Sequence, residues 1–458
     1  MTGRYKEYPE YKDSEVEWLE SLPSSWQIIK VKFLLKDGSE GIKIGPFGSA
    51  LKLEDMVESG IRVYGQENVI KKDFTLGKRF ISQEKYSDMK VYTVEAGDIL
   101  ITMMGTSGKC QVVPESAELG IIDSHLLKLR TNSKILPELF RLLVDETQEI
   151  KDQIGKQGKG SIMHGLNSSI VKELELPLPS LEEQARILNF FNHETAKIDT
   201  LITKQEKLIG LLKDKRQAVI SHAVTKGLNP DAPMKDSGVE WLGKVPEHWF
   251  VVPIKRMCEV KDGTHDTPKY LDKGESSFPL ITSKDFEGKN ISFENAKYIS
   301  KEAHREIVKR SNTEVGDVLM SMIGGNIGKA LIVKETAEFS IKNVALFKTT
   351  RKRALASYIL YYLESGLLDI QISLQSRGGA QGFLSLGDLR NLVFFKVPED
   401  ELNTIVEHLD LKISKCDRLI NIASDKITLL SERKTALISA AVTGKIDVRD
   451  WQPKGVQG

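Results

Sequence analysis

Residues 12–26 read KDSEVEWLESLPSSW, and residues 235–249 read KDSGVEWLGKVPEHW. Nine of the fifteen positions are identical, including both tryptophans and the proline between them. The two copies stand 223 residues apart, whereas the units of a solenoid are only about 20–50 residues long. The duplication therefore predicts two homologous halves, each large enough to fold.

Two further stretches repeat in the same order. GDILITMMGTSGK at residues 97–109 returns as GDVLMSMIGGNIGK at residues 316–329. LLKDKRQAVISHAVTKG at residues 211–227 returns as LLSERKTALISAAVTGK at residues 429–445. Because three blocks recur in one order, the internal repeat covers most of the chain.

The composition is that of a globular protein with substantial cores, since 40% of the 458 residues are hydrophobic and 28% are charged. No apolar run approaches the roughly 18–20 residues needed to cross a bilayer, and the polar N-terminal segment is unlike a signal peptide. Three widely spaced cysteines without a CxxC pair argue against disulfides or a zinc finger. These features predict a cytoplasmic protein. A net charge of +1 does not by itself suggest a DNA-binding protein.

Each half ends in a long helical stretch, from about residue 181 to 225 and from about 400 to 443. Apolar residues recur in both stretches close to a seven-residue spacing, and this pattern favours a coiled coil. If a pseudo-twofold axis relates the halves, the two helices are antiparallel; the alternative is that each helix only covers its own domain. The predicted coiled-coil residues are Ile198, Ile202, Ile209, Leu212, Val219, Cys416, Ile420, Ile427, Leu430 and Leu437.

Between the repeated blocks, short apolar runs alternate with Gly, Asn, Asp and Pro, which is typical of strands and turns. Helices are predicted at Pro137–Gln153 and Ala354–Gln375. The predicted fold class is mixed α/β (α+β): two homologous globular domains joined by two long helices in an antiparallel coiled coil, with a pseudo-twofold internal repeat. The expected segments are the N-terminal repeat segment 1–27, a first domain 28–180, a central helix 181–228, a second domain 229–397, and a C-terminal helix and tail 398–458.

A search for catalytic motifs is negative. GGNIGK at residues 324–329 resembles a P-loop, but Ile323 stands where the first glycine belongs and Ala330 replaces the serine or threonine. We therefore predict a structural turn there and at the corresponding GTSGK. No His, Cys or carboxylate residues have metal-ligand spacing, so neither catalytic residues nor a metal site is predicted.

Several of these segments are similar to recurrent segments of one known family. They are the doubled KDSxVEWLxxxPxxW, PSLEEQARI at residues 179–187, DGTHDTPKY at 262–270 and AVTGKIDV at 441–448, together with the two repeated blocks. In these segments the chain resembles the specificity subunit of type I restriction–modification systems. The resemblance covers essentially the whole chain, and it depends on the order of the repeated blocks.

The resemblance implies two target-recognition domains, each of which reads one half of an asymmetric bipartite DNA target. The helices would set the unread spacer and dock two methyltransferase subunits, to which two restriction subunits can be added. Such a chain is non-catalytic, and S-adenosylmethionine, ATP and Mg²⁺ would be bound by the partner subunits, which methylate adenine and cleave DNA. A system with fused methylase–nuclease partners, a coiled-coil adaptor that does not bind DNA, and an enzyme with a divergent site are the alternatives.

Candidate DNA contacts are polar residues on glycine-flanked loops of the two domains. Arg, Lys, Asn and Gln can read base edges, whereas Lys, Arg, Ser and Thr bind phosphates. In the first domain the candidates are Lys43, Ser49, Gln66, Asn68, Lys71, Lys72, Lys156, Gln157 and Lys159. In the second they are His265, Thr267, Lys269, Ser283, Lys284, Arg377 and Gln381. By contrast, Asp98, Asp317 and the paired tryptophans are predicted to be structural, the tryptophans by anchoring each domain against the helix ends.

Overall fold

The structure is a computed structural model that describes residues 5–47, 50–158, 166–349, 352–375 and 384–453. The chain forms two compact units, one from residues up to 204 together with those from 426 onward, the other from residues 205–425. None of the helices in the described part of the chain is long and apolar enough to span a membrane.

The first unit is a mixture of short strands and short helices. Its strands are β1 Tyr11–Val16, β2 Leu19–Pro23, β3 Gln27–Lys30, β4 Ile42–Ile44, β5 Met56–Val57, β6 Ile61–Tyr64, β7 Phe80–Ile81, β8 Thr93–Val94, β9 Ile99–Thr102, β10 Cys110–Val112, β11 Gly120–Ile122, β12 Leu126–Leu129 and β13 Glu175–Leu178. Its shorter helices are α1 Gln66–Ile70, α2 Gln83–Met89, α3 Pro137–Glu146, α4 Gln148–Gly158 and α5 Ser168–Glu173. The strands form the hairpin β1-β2, the sheets β10-β9-β12-β4 and β5-β7-β6-β11-β8, and the pair β13-β3.

The central helix, α6, spans Leu181–Lys226, and the second unit follows it along the chain. The strands of that unit are β14 Met234–Asp236, β15 Lys244–Pro246, β16 Phe250–Pro253, β17 Glu259–Asp262, β18 Ser277–Ile281, β19 Phe286–Glu287, β20 Asn290–Ile291, β21 Lys297–Ser300, β22 Val318–Ser321, β23 Ala330–Ile332, β24 Ser340–Ile341, β25 Val344–Lys348 and β26 Val393–Lys396. The helices are α7 Lys301–Ser311, α8 Arg353–Glu364, α9 Leu367–Gln375, α10 Leu386–Arg390 and the final α11 Glu399–Val442. The strands form the pairs β14-β15, β16-β26 and β19-β20, with the sheets β17-β25-β22-β23 and β21-β18-β24.

The two units repeat one topology. The hairpin β1-β2 corresponds to β14-β15, the sheet β10-β9-β12-β4 to β23-β22-β25-β17, and the pair β13-β3 to β26-β16. Each unit also pairs two described strands in parallel, β6 with β11 and β18 with β24. The predicted internal repeat and the mixed fold class are therefore confirmed.

The long helices begin and end within one residue of their predicted bounds. In the first unit, Lys434 Nζ of α11 lies 2.7 Å from Asp199 Oδ1 of α6, and Arg186, nearer the start of α6, donates to the carbonyl of Arg449, which follows the end of α11. Residue numbers therefore rise along α6 as they fall along α11, so the two helix segments of this unit are antiparallel. The predicted seam residues in the first unit, all buried or half-buried, are Ile198, Ile202, Ile427, Leu430 and Leu437.

The second unit pairs its segments of the same helices in the same direction. Arg216 Nε donates to Asp417 Oδ1 at 3.1 Å, and Gly227, which follows α6, lies beside Glu401 near the start of α11. The predicted seam residues of this unit, also buried or half-buried, are Ile209, Leu212, Val219, Cys416 and Ile420.

Two predicted helices are each interrupted. The helix expected at Pro137–Gln153 is split into α3 and α4 because Thr147 has an extended backbone, with φ −92° and ψ 132°. The helix expected at Ala354–Gln375 is split into α8 and α9 by a turn in which the Ser365 hydroxyl donates to the Tyr362 carbonyl at 2.6 Å. Short local hydrogen bonds of Ser and Thr compete with helix continuation in this way.

The repeated Pro-x-x-Trp segments pack on the ends of the long helices. Trp26 and Trp249 are both fully buried. A β-carbon at Gly444, which follows α11, would lie 3.4 Å from the Trp26 ring, and one at Gly227 would lie 3.4 Å from the Trp249 ring. Both glycines have positive φ, +76° and +72°, as is common where a helix ends. Trp26 and Trp249 therefore anchor the helix ends as predicted.

The repeated Gly-Asp turns are structural, as expected. Buried Asp98 accepts hydrogen bonds from the Glu95 N–H at 2.9 Å and from Arg130 Nε at 2.6 Å. Asp317 likewise accepts the Glu314 N–H at 2.9 Å and Lys348 Nζ at 2.7 Å.

The glycine-rich turns that follow join antiparallel neighbours, β9 to β10 and β22 to β23. A P-loop instead leads from a strand into a helix, so the prediction of a structural turn is confirmed. Within the residues that the structure describes, no group of three His, Cys, Asp or Glu side chains is placed to hold a metal ion.

Candidate nucleic-acid interface

The carboxyl ends of the parallel strands bring several loops together in each unit. In the first unit the Asp123 N–H donates to the Tyr64 carbonyl at 2.9 Å, so the loops after β11 and β6 are neighbours. The Gly45 N–H donates to the Leu126 carbonyl at 3.0 Å, which adds the loop after β4. We call these three segments, residues 45–47, 65–72 and 123–125, the first loop edge.

The second unit assembles the same edge from corresponding loops. The Lys342 N–H donates to the Ile281 carbonyl at 2.9 Å, and the Thr264 N–H donates to the Ile341 carbonyl at 3.0 Å. The second loop edge therefore comprises residues 263–269 after β17, 282–285 after β18 and 342–343 after β24.

At the second loop edge, a buried carboxylate holds two exposed basic side chains. Asp262, whose side chain is 3% exposed, accepts Arg310 Nε at 3.0 Å through one oxygen and bonds His265 Nε2 at 2.9 Å through the other. Arg310 comes from α7 and is 55% exposed. We call these residues the second Arg–Asp–His cluster.

His265 is held in an orientation that favours its charged form. Its Nδ1 lies 3.0 Å from Asn343 Oδ1, and Asn343 occupies a left-handed turn conformation with φ +54°. Hydrogen bonding to Asp262, and then to Asn343, raises the pKa of His265 above its ordinary value. A cationic imidazole at an exposed edge can bind an anionic oxygen such as that of a phosphate.

The first loop edge carries a cluster of the same composition. Asp123, whose side chain is 8% exposed, accepts Arg79 Nη1 at 2.9 Å. It also accepts the backbone N–H of His125 at 2.9 Å, and the imidazole Nδ1 lies 3.8 Å from the carboxylate. These residues form the first Arg–Asp–His cluster.

The two clusters are built at different positions of the repeated topology. Asp262 is the last residue of β17 and pairs with Ala345, whereas the residue at that place in the first unit is Ile44, which pairs with Leu127. Asp123 instead follows β11. The two clusters thus have the same composition without being copies of one another.

Most predicted first-domain residues lie on or near the first loop edge. Gln66 is half-buried at the start of α1, whereas Lys71 and Lys72 are exposed, with Lys72 Nζ 3.7 Å from Glu146 Oε1. Lys43 lies on β4 just before the edge, half-buried, with its ammonium group 5.7 Å from the centre of the Tyr92 ring. Lys156 is exposed in the last turn of α4, away from these loops in the chain.

The prediction that Asn68 contacts DNA is corrected, because this residue has a structural role. It is only 1% exposed, and its Oδ1 accepts the Gly65 N–H at 2.9 Å. Its Nδ2 donates to the carbonyls of Asp73 and Leu76 at 3.0 and 2.9 Å. Asp285 caps the corresponding turn of the second unit by accepting the Thr282 N–H at 2.7 Å. A side chain that is buried and fully hydrogen-bonded in this way cannot read a base edge.

The predicted second-domain residues in the described segments lie together on the second loop edge. His265, Thr267 and Lys269 are exposed on the loop after β17, and Lys342 Nζ donates to Thr267. Ser283 is half-buried and Lys284 exposed in the short turn after β18.

Ser49, Lys159, Arg377 and Gln381 lie outside the described residues, as does the side chain of Gln157. The segments that contain most of them nevertheless end at equivalent points. The Leu166 N–H donates to the Met103 carbonyl at 2.9 Å, and the Leu384 N–H donates to the Met322 carbonyl at 3.0 Å.

Sequence reasoning missed five residues of the two clusters, Arg79, Asp123, His125, Asp262 and Arg310. The aspartates carry a weak signal, because Asp123 follows the buried strand β11 and Asp262 ends the strand β17. The arginines carry none, since they stand 44 and 48 residues from the aspartates that they contact.

Comparisons with known proteins agree with these features. Residues 53–209 match the family described as Type I restriction modification DNA specificity domain. The specificity subunit of the type I restriction enzyme MjaVIII from Methanocaldococcus jannaschii is 24% identical over 72% of this chain and 75% of its own length. That of MjaIX, from the same organism, is 20% identical over 96% of this chain and 97% of its own length. Over nearly its whole length the chain is thus similar to the specificity subunits of type I restriction–modification systems. A chain from a structure that addresses complex assembly and conformational transition of the type I R-M system has the same fold, with a TM-score of 0.69, 17% identity, and coverage of 93% of this chain and 99% of that one.

Specificity subunits recognise the DNA target and are themselves non-catalytic. In this chain the loop edges present exposed basic side chains, such as Lys71 and Lys269, on segments that follow strands, and basic side chains of this kind can bind phosphate.

Proposed function

We propose that this specificity subunit reads an asymmetric bipartite DNA target, one half with each loop edge. The observation that supports the proposal is the repeated topology, which places corresponding loops at corresponding edges in the two units. The side chains on those loops differ, since GPFG in the first unit corresponds to GTHD in the second. Equivalent scaffolds with different contacting groups favour two different half-sites.

The long helices are the proposed docking surface for two methyltransferase subunits. Beside their buried seam they carry large apolar residues whose exposure marks a protein-binding surface. Leu211 and Leu429, the most exposed on each helix, are 57% and 63% exposed. The others are Leu181, Leu201, Leu208, Leu411, Leu419 and Ile422. On this proposal the paired helices also set the spacer between the half-sites.

The chemistry would belong to the partners. S-adenosylmethionine would be bound by the methyltransferase subunits, which modify adenine, and ATP and Mg²⁺ by two restriction subunits where the system has them. The alternative of a fused methylase–nuclease partner leaves the role of this chain unchanged.

Methylation-sensitive sequencing of the host genome tests the proposal. We expect a bipartite, asymmetric motif whose adenine methylation disappears when the gene for this chain is deleted. As a control, the purified chain incubated alone with DNA and radiolabelled S-adenosylmethionine transfers no methyl groups. A continuous motif, or methyl transfer by the chain alone, contradicts the proposal.

A further inference from the structure

We propose that the two Arg–Asp–His clusters contact the two DNA half-sites, the arginine of each cluster as the contacting cation and the aspartate as its positioning residue. The inference rests on the proposed function and assigns residues to it. The first cluster would serve the first half-site and the second cluster the second.

The exposure of the charged groups supports this assignment. A buried carboxylate requires cationic or hydrogen-bonding partners, which explains why Asp262 is paired. It does not explain why Arg310 remains 55% exposed while Asp262 is 3% exposed. The carboxylate holds one edge of the guanidinium, at Nε and Nη2, and Nη1 has no hydrogen-bond partner among the described residues. A guanidinium fixed on one side and open on the other is preorganised for a ligand.

The first cluster has the same arrangement. Arg79 is 38% exposed and Asp123 is 8% exposed. The aspartate bonds Nη1, whereas Nε of Arg79 has no hydrogen-bond partner among the described residues. Each aspartate therefore holds an arginine at the mouth of a loop edge, together with a histidine.

The different positions of the two aspartates strengthen the inference. A cluster inherited through the internal duplication would use equivalent residues, yet Ile44 stands in the first unit where Asp262 stands in the second. Gene duplication therefore does not explain why an Arg–Asp–His cluster occurs at both loop edges. A requirement that the two edges share, contact with DNA, does explain it.

The ligand chemistry is a pair of hydrogen-bond acceptors with negative potential. Guanine offers O6 and N7 in the major groove, and a phosphate offers two oxygens. Arginine suits both because its planar donors bind two acceptors at once, which the ammonium group of lysine does not do.

The experiment uses the full chain, co-expressed with the modification subunits of its system. Binding is measured on DNA libraries in which one half-site is fixed and the other randomised, over a series of salt concentrations. Arg79→Gln and Arg310→Gln are compared with Lys78→Gln and Lys309→Gln, which remove the preceding exposed lysines. Arg79→Lys and Arg310→Lys keep the charge, and they replace the glutamine variants in the binding measurement if a glutamine variant does not fold.

We expect each arginine substitution to weaken binding by about tenfold or more, with the effect confined to its own half-site. If the contact is to guanine, the preference at one base position is relaxed. If the contact is to phosphate, affinity falls for all sequences, and the slope of the logarithm of affinity against the logarithm of salt concentration decreases in magnitude by about one. Either outcome supports the inference.

The variants Asp262→Asn and Asp123→Asn distinguish the positioning of each arginine by its aspartate from the effect of the aspartate on net charge. Removing a negative charge near DNA strengthens binding by electrostatics alone, whereas loss of arginine positioning weakens binding and relaxes the half-site. We expect the weaker binding. Arginine variants that match their lysine controls, or asparagine variants that bind more tightly with unchanged specificity, overturn the inference. The proposed function fails separately, if the unaltered complex selects no bipartite sequence in the same libraries.

Discussion

A β-carbon at Gly444 would lie 2.4 Å from Cδ of Pro23, so the proline ring closes over the backbone that ends α11. At the equivalent Gly227, the nearest atom would be the flexible carboxylate of Glu401, at 3.1 Å. Both glycines have positive φ, which costs an alanine about 1–2 kcal/mol.

We therefore expect Gly444→Ala to lower the free energy of unfolding more than Gly227→Ala does, because only residue 444 adds a clash with a rigid ring to the backbone strain. Urea unfolding of both variants measures the difference. Equal losses would show that the proline ring moves aside at little cost.

The paired tryptophans predict a second difference between the units. Trp249 Nε1 donates to Glu401 Oε2 at 3.0 Å, whereas the buried Nε1 of Trp26 has no partner among the described residues. Both phenylalanine variants lose similar packing, but only Trp249→Phe loses a hydrogen bond. We expect Trp249→Phe to lower the free energy of unfolding, measured in urea, by about 1 kcal/mol more than Trp26→Phe does. A larger loss in Trp26→Phe would contradict this prediction.

The recognition domains are predicted to be exchangeable. Strands β3 and β13 pair so that Gln27 faces Leu178 and Lys30 faces Glu175, which places the two ends of residues 28–178 side by side. Replacing this segment with that of another specificity subunit should change the first half-site only. Replacing residues 251–395, which are bounded by the β16-β26 pair, should change only the second. Methylation-sensitive sequencing of genomes from cells that carry each exchanged chain determines both half-sites and the spacer. A changed spacer would contradict the prediction.

The spacer is predicted to follow helix length. The Arg216–Asp417 contact places Lys213 opposite the region of Ile420, so one heptad inserted after each of these residues preserves the seam. Seven residues add about 10 Å of helix, which corresponds to about three base pairs. We expect a longer spacer with both half-sites unchanged. Inserting the heptad in one helix only is the control, since it breaks the pairing.

Binding at the second half-site should depend on pH. Among the described residues, the charged side chains of Asp262 and Arg310 face His265, and hydrogen bonding to Asp262 raises the pKa of the imidazole. Because the charged form attracts phosphate, its contribution is present at low pH and is lost as the pH rises through the raised pKa, above the ordinary value of about 6.5. We expect affinity to fall over this range, and His265→Gln to flatten the profile. An unchanged profile in the variant would assign the dependence to another group.

The features that repeat along the sequence were the ones that could be predicted. The heptads that end in Val219 and Leu437 placed both long helices, and the doubled Pro-x-x-Trp segment placed Trp26 and Trp249 at the helix ends. These signals succeed because they depend on spacing within one segment.

The candidate site was predicted only in part. Loops such as that of His265 were identified by their glycines, but Asn68 was misjudged because an amide that caps a turn and one that reads a base look alike in sequence. Arg79 and Arg310 were missed because their role depends on contacts formed only when distant segments meet.

The pairing of β3 with β13, and of β16 with β26, has a consequence for recombination of the gene. Two crossovers in a gene, one at each side of such a strand pair, would bring in a foreign recognition domain without disturbing the helices. On the proposed function, a lineage could then acquire a new recognition sequence in a single recombination event, while every partner protein stayed the same.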